Sequence, residues 1–157
     1  MGAVGVNHVS ISANRLDESV RFYVEVFGLE PVATPEFGFP VQWLRLGASQ
    51  LHIFERPGID VPTHHHLALN VDDFPGVLRE VRRRGVEDRV AFGHWLYRLP
   101  DGAAQMYLRD PGGNLVEVNW PAIDEIDPTL TAEARPLPRP QEGETATATL
   151  FLDRRQS

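Results

Sequence analysis

His8, His52, His66 and Glu117 are the residues of this chain whose types and positions suggest chemistry. The segments HVSISAN, from His8, and HLALNVD, from His66, read as copies of one unit 58 positions apart, each opening on a histidine. Each copy closes on a strand-like stretch with a second candidate ligand, His52 in QLHIFE and Glu117 in NLVEVNW. Three imidazoles and one carboxylate brought to one point make a divalent-metal site. The chain has no cysteine, so any such ion is held by nitrogen and oxygen, and thiolate nucleophiles and disulfides are excluded. Imidazole with carboxylate suits iron, manganese, nickel, cobalt or zinc.

At 157 residues the chain is long enough for one domain with a real core. A formal charge of −7 and a pI near 5.3 argue against an extended nucleic-acid footprint. The basic run Arg82-Arg83-Arg84 falls at the end of a predicted helix, where cations interact favourably with the carbonyl terminus. The start, MGAVGVNHVS, has neither a charged leader nor a long apolar stretch, and no window of about 20 apolar residues occurs. The expectation is a cytoplasmic protein with no membrane partner.

Two similar sets of elements must position the candidate ligands. Residues 4–12 alternate as a strand, Asn14 is placed to cap a helix with Leu16, Val20, Val24 and Phe27 on one face, and Gly28 ends it. Segments 30–34, 41–46 and 49–55 follow as strands between proline and glycine turns. After the linker Pro57-Gly58-Ile59-Asp60-Val61-Pro62 the order returns. A strand spans 65–71, Asp72 or Asp73 caps a helix with Pro75 in its first turn, and Phe74, Val77 or Leu78 and Val81 form its apolar stripe up to Gly85. Strands near 89–98, 103–109 and 114–120 complete the second copy, with turns at Pro100-Asp101-Gly102 and Asp110-Pro111-Gly112-Gly113. A β-α-β-β-β unit leaves one sheet face uncovered. The expected class is α+β, two repeated β-α-β-β-β modules forming a curved mixed sheet around a metal-binding cleft, with a ligand pocket as a consequence.

The expected organisation is a single domain over 1–121, with modules 4–56 and 64–121, and a proline-rich C-terminal arm over 122–157. Five of the thirteen prolines lie from Pro121 onward, and the composition there suggests disorder or an arm. The alternation TATATLFL, Thr145 to Leu152, suggests one further strand, packed on the body or on a partner subunit.

The motifs HVSI, LHIFE, HHLALNVDD and YLRDPGGNLVE resemble the vicinal oxygen chelate superfamily over about residues 4–121. This group contains glyoxalase I, extradiol dioxygenases, methylmalonyl-CoA epimerase, fosfomycin-resistance enzymes and bleomycin-binding proteins. The resemblance implies metal ligation by His8, His66 and Glu117, a small-molecule substrate and a homodimer. It makes His52 the residue that separates two chemistries. A glutamate or glutamine ligand is usual there in glyoxalase-like members, whereas a nearby histidine serves as an acid–base group beside iron in extradiol dioxygenases. Tyr107, ten residues before Glu117, resembles the dioxygenase tyrosine that hydrogen-bonds a phenolate. Against that match, Arg98 stands where a further histidine is usual, with His94 four residues earlier. His64, His65, His94, Trp95 and Tyr97 are read as rim, wall or core residues. The resemblance favours an extradiol-dioxygenase-like oxidoreductase with Fe(II) or Mn(II) as cofactor. A glyoxalase I-like lyase or isomerase with Ni, Co or Zn comes next, and a non-enzymatic binder of a drug or metabolite third.

Overall fold

The computed structural model describes residues 2–152. It contains β1 (His8–Ala13), α1 (Leu16–Phe27), β2 (Glu30–Val32), β3 (Val41–Leu46) and β4 (Ser49–Glu55). Then come β5 (His66–Asn70), α2 (Phe74–Arg84), β6 (Leu96–Arg98), β7 (Ala104–Arg109), β8 (Leu115–Trp120) and β9 (Arg135–Pro136). One sheet has the order β1-β4-β3-β2 and the other β5-β8-β7-β6-β9, so the first four strands of each follow the same winding. The class is α+β, built on two mixed sheets. Two compact units emerge: the chain up to Leu67 with Arg109–Leu115, and Ala68–Leu108 with the chain from Val116 onward.

In the first unit β1 runs parallel to β4, and β3 is antiparallel to both β4 and β2. α1 buries Ser19, Phe22, Tyr23 and Val26, while Val24 is 37% exposed. The expected stripe through Leu16, Val20 and Val24 is therefore corrected by about a quarter-turn. LDESVRFYVEVF has apolar residues on more than one i, i+3, i+4 row, and the two large rings of Phe22 and Tyr23 take the buried side because they remove the most apolar surface. The helix start is also corrected. The N-cap is Arg15 without a side-chain cap, and Glu55 of β4 accepts from the Leu16 N–H at 2.9 Å. A distant carboxylate thus satisfies the helix N-terminus, while Asn14 accepts from the Gly58 N–H instead.

The turn between β7 and β8 is held by Asp110. Its carboxylate accepts from the Asn114 N–H and Nδ2, each at 2.8 Å, and from the Tyr23 hydroxyl of α1 at 3.0 Å. Asn114 Nδ2 also donates to the Ser12 carbonyl of β1 at 2.8 Å. Gly112 is needed for this approach, since a Cβ there would lie 2.8 Å from Ser12 O.

In the second unit α2 starts at Asp73, which accepts from the Gly76 N–H, and buries Phe74, Val77, Leu78 and Val81. Its terminal arginines do more than face the carbonyl end: Arg83 and Arg84 both pair with Glu80, and Arg82 pairs with Glu133. The strand expected over 89–98 is confined to Leu96–Arg98. The preceding segment instead turns at Asp88, whose carboxylate takes the Val90 and Ala91 N–H groups.

Much of the segment after Pro121 is seated on this unit, contrary to the disorder its composition suggests. Ile123 and Ile126 are buried, and β9 adds to β6 in parallel. Glu133 accepts from Arg89 at 2.9 Å, and from Arg82 and the Trp95 Nε1–H at 3.3 Å each. Its carbonyl oxygen meets His94 Nε2 at 2.8 Å. The strand expected at 145–152 is replaced by a 3-10 turn at Gly143–Thr147, because a Glu142–Thr145 capping box engages the backbone locally. No helix among the described residues is long and apolar enough to cross a membrane.

Two outcomes test these supports. Gly112→Ala should lower the melting temperature, since backbone carbonyl and Cβ must move apart; an unchanged melting temperature would remove the close approach to β1. Hydrogen bonds from Arg83 and Arg84 hold the Glu80 carboxyl down to about 2. Its contribution to stability is then complete above about pH 4.5 and disappears as pH falls through about 2. The melting-temperature difference between wild type and Glu80→Gln should accordingly shrink across that window.

Candidate active site

In the first unit, Leu51 and Ile53 of β4 are fully buried, and Glu55 on the same strand face reaches the start of α1. By alternation, Gln50, His52 and Phe54 lie on the opposite, open face. Register adds His8 opposite Gln50, Ser10 opposite His52, and Trp43 of β3 on the other side of His52.

Three of these rings stack. His8 and His52 have centroids 4.2 Å apart and planes 11° from parallel. His52 and Trp43 are 4.3 Å apart at 6°. His52, 7% exposed, is the middle layer, and its Nε2 lies 2.8 Å from Gln50 Oε1. Burial, and then the charge of His8, lowers its pKa below the usual histidine value. An ion binds imidazole along the nitrogen lone pair, in the ring plane. Two parallel stacked rings therefore cannot share one ion in this arrangement; His52 supports His8 and orients Gln50.

His8 and His66 are oriented alike, each with Nδ1 against an oxygen. His8 Nδ1 is 2.9 Å from Asn7 Oδ1, and His66 Nδ1 is 2.9 Å from the His64 carbonyl oxygen. Each oxygen can only accept, so a proton on Nδ1 completes the hydrogen bond in both rings. Metal-binding histidines are commonly oriented in this way. His66 also borders a cavity of about 330 Å³ in the first unit, lined by residues 9–12, the 59–62 linker and His65. His64 and His65 are exposed.

In the second unit, Glu117 of β8 is only 4% exposed. Gln105 Nε2 donates to its carboxylate at 3.0 Å, and the Tyr107 hydroxyl donates to Gln105 Oε1 at 3.3 Å. Burial, followed by the neighbouring Glu117 charge, pushes the Tyr107 hydroxyl well above the usual tyrosine range, so it remains a proton donor. Phe92 and Tyr97 pack around it at centroid distances of 4.7 and 6.4 Å. His94 packs edge-on against Tyr97 at 5.7 Å and, with Trp95, holds the Glu133 segment.

The structure thus brings together His8 with His52, and Glu117 with Tyr107. Among the described residues no three His, Asp or Glu side chains are gathered as a ready-made ion cage. Taken unit by unit, the donor types suit a divalent ion: imidazoles in the first, and in the second a carboxylate whose burial a cation would compensate. Gln50 and Gln105 are functional candidates missed in the sequence. Their signal was alternation, since each stands two residues before a candidate on the same strand face.

The repeated winding of the two mixed sheets is that of a glyoxalase-type α+β protein. The chain belongs to the Glyoxalase/Bleomycin resistance protein/Dioxygenase superfamily, whose family model matches residues 5–118. It is 26% identical over 132 residues to human mitochondrial methylmalonyl-CoA epimerase, covering 72% of each chain. Among solved structures it resembles lactoylglutathione lyase from Agrobacterium tumefaciens, with TM-score 0.58 and 22% identity over 76% of this chain and 95% of that one. It also resembles the fosfomycin resistance protein FosX from Listeria monocytogenes, solved with Mn(II) and a dihydroxypropylphosphonic acid. There the TM-score is 0.62 at 15% identity, over 79% of this chain and 97% of that one.

The ring stack is open to a direct check. The His52 imidazole should titrate below 6.5 by NMR, and His8→Ala should raise its midpoint by removing both the covering ring and its charge. A midpoint unmoved by His8→Ala would exclude the stacked arrangement.

Proposed function

We propose that this protein is a divalent-metal-dependent enzyme that transfers a proton on a small substrate with two neighbouring oxygens, as an isomerase or lyase does. His8 and His66, through Nε2, and Glu117, through its carboxylate, are the proposed ligands, with Mn(II) or Fe(II) favoured and Ni, Co or Zn as alternatives. The shared orientation of the two histidines, each with Nδ1 against an oxygen at 2.9 Å, is the observation that supports this most directly. When bound, the ion supplies Lewis-acid polarisation of adjacent substrate oxygens.

The chain's own groups supply the rest. Gln105 holds one Glu117 oxygen, which orients the carboxylate for ligation or for receiving a proton. The protonated Tyr107 hydroxyl offers a hydrogen bond to an oxygen on which negative charge develops. His52, neutral at neutral pH, keeps His8 in place and engages Gln50, leaving Glu117 as the proposed base. The engagement of His52 favours isomerase or lyase chemistry over the extradiol-dioxygenase-like reading, which needs a histidine at the substrate for acid–base work. The names of the epimerase and lyase relatives support the same choice.

The dioxygenase-like oxidoreductase is retained as a second reading because Tyr107 stands beside Glu117, where it could hold a phenolate. The small-molecule substrate and a homodimer belong to the proposal under either reading.

Protein supplemented with Mn(II) should bind about one equivalent per chain, and His8→Ala, His66→Ala and Glu117→Gln should each abolish stoichiometric binding. Glu117→Gln should also reduce turnover of a hemithioacetal or epimerisable thioester by about 10²-fold or more, the usual scale for a lost general base. Consumption of oxygen with catechols, and no isomerisation, would replace this reading with the dioxygenase one.

A further inference from the structure

The proposed chemistry uses only one end of the first unit's open face. From His52, β4 continues through Phe54, and Arg56 follows it with its N–H on the Ala13 carbonyl at 2.8 Å. Phe37 and Phe39, in the segment leading into β3, lie over this end. Phe37 is centred 5.8 Å from Phe39 and 5.9 Å from Trp43, and Phe39 lies 5.9 Å from Phe54. Between them Gly38, at φ 75°, takes the left-handed conformation that this turn requires. Phe37 is 44% exposed despite its size.

Arg56 closes the wall. Its guanidinium lies 4.5 Å from the Phe39 ring centroid and 6.0 Å from that of Phe54. Its side-chain hydrogen bond goes to the Glu55 carbonyl at 2.9 Å, and among the described residues no carboxylate pairs with it. Arg45, on the same face beyond Trp43, differs in having Glu30 at 3.6 Å. A permanently charged, half-buried guanidinium on an aromatic surface is suited to a planar anion.

We infer that the Phe37, Phe39, Trp43 and Phe54 wall binds the ring system of a planar aromatic acid whose carboxylate sits on Arg56. This deepens the proposed function by naming a substrate class, and it rests on reading the open face as part of the active site. Four residues of strand separate His52 from Arg56, about 13 Å at roughly 3.3 Å per residue. A substrate anchored at Arg56 and reacting near His8 therefore needs about two fused or linked rings. A single-ring acid is too short to serve both ends. Among the described residues the wall has no cluster of cations for a phosphonate or a nucleotide, which sets it apart from sites built for those groups.

Calorimetric titration of metal-free protein with 2-naphthoate and with its neutral counterpart 2-naphthamide tests the wall separately from catalysis. Wild type should bind 2-naphthoate more tightly than 2-naphthamide. Arg56→Gln should weaken 2-naphthoate about tenfold or more, as expected for loss of a charge-assisted contact, and leave 2-naphthamide unchanged. Phe37→Ala, a change at a partly exposed ring of the wall, should weaken both. Absence of 2-naphthoate binding to wild type, equal affinity for the two probes, or an Arg56→Gln protein with an unchanged circular dichroism spectrum and undiminished affinity would overturn the inference. Because no metal is added, failure of the proposed ligand set leaves these outcomes readable, and failure here leaves metal binding to be judged on its own.

Discussion

The buried carboxylate of Asp110 is the constraint on which the arrangement of the first unit depends. It accepts bonds from Tyr23 on α1 and from Asn114, while Asn114 holds the Ser12 carbonyl of β1. Burial raises the carboxyl pKa and these donors oppose that rise, so the group is costly to bury and stays in place through its partners. A helix, an edge strand and the turn entering β8 are thereby tied to one residue. Gly112 allows the contact to be made at backbone distance.

Around that constraint, strand alternation divides labour between sheet faces. Residues on one face form the core: Leu44, Leu51 and Ile53 in the first unit, Met106, Leu108 and Val116 in the second. The intervening residues carry polar chemistry, His52 and Gln50 in one case and Tyr107 and Gln105 in the other. In each, a glutamine two residues before the titratable side chain contacts it. The glutamine amide supplies both a donor and an acceptor, so it orients a neighbour without adding charge.

The segment after Pro121 shows how little apolar surface is needed when polar anchors are well placed. The fully buried Trp95 ring has the Arg82 and Arg89 guanidinium groups 5.3 and 5.4 Å from its centroid, and both reach Glu133. The hydrogen bond from Arg89 holds the Glu133 carboxyl below the usual range. Pairs this exposed contribute modestly one by one, but here several partners converge on one side chain and its carbonyl. Composition reports the scarcity of apolar residues and is blind to such convergence.

Strand alternation made β3 and β4 legible over 41–46 and 49–55, and proline with glycine marked the turns and both helix ends. Periodicity also identified the α2 stripe, because polar residues leave that helix only one apolar face. In α1 more than one row is apolar, so tertiary packing chose Phe22 and Tyr23, and a carboxylate from β4 displaced the local cap. The order of elements, the turns and the faces of the strands and of α2 were thus determined within the sequence, as consequences of short-range geometry. The stacking of His8 on His52, the Glu117–Gln105 pairing and the seat of Glu133 were decided only in the tertiary structure. Each depends on groups distant in the chain or on side-chain orientation, which local period does not encode.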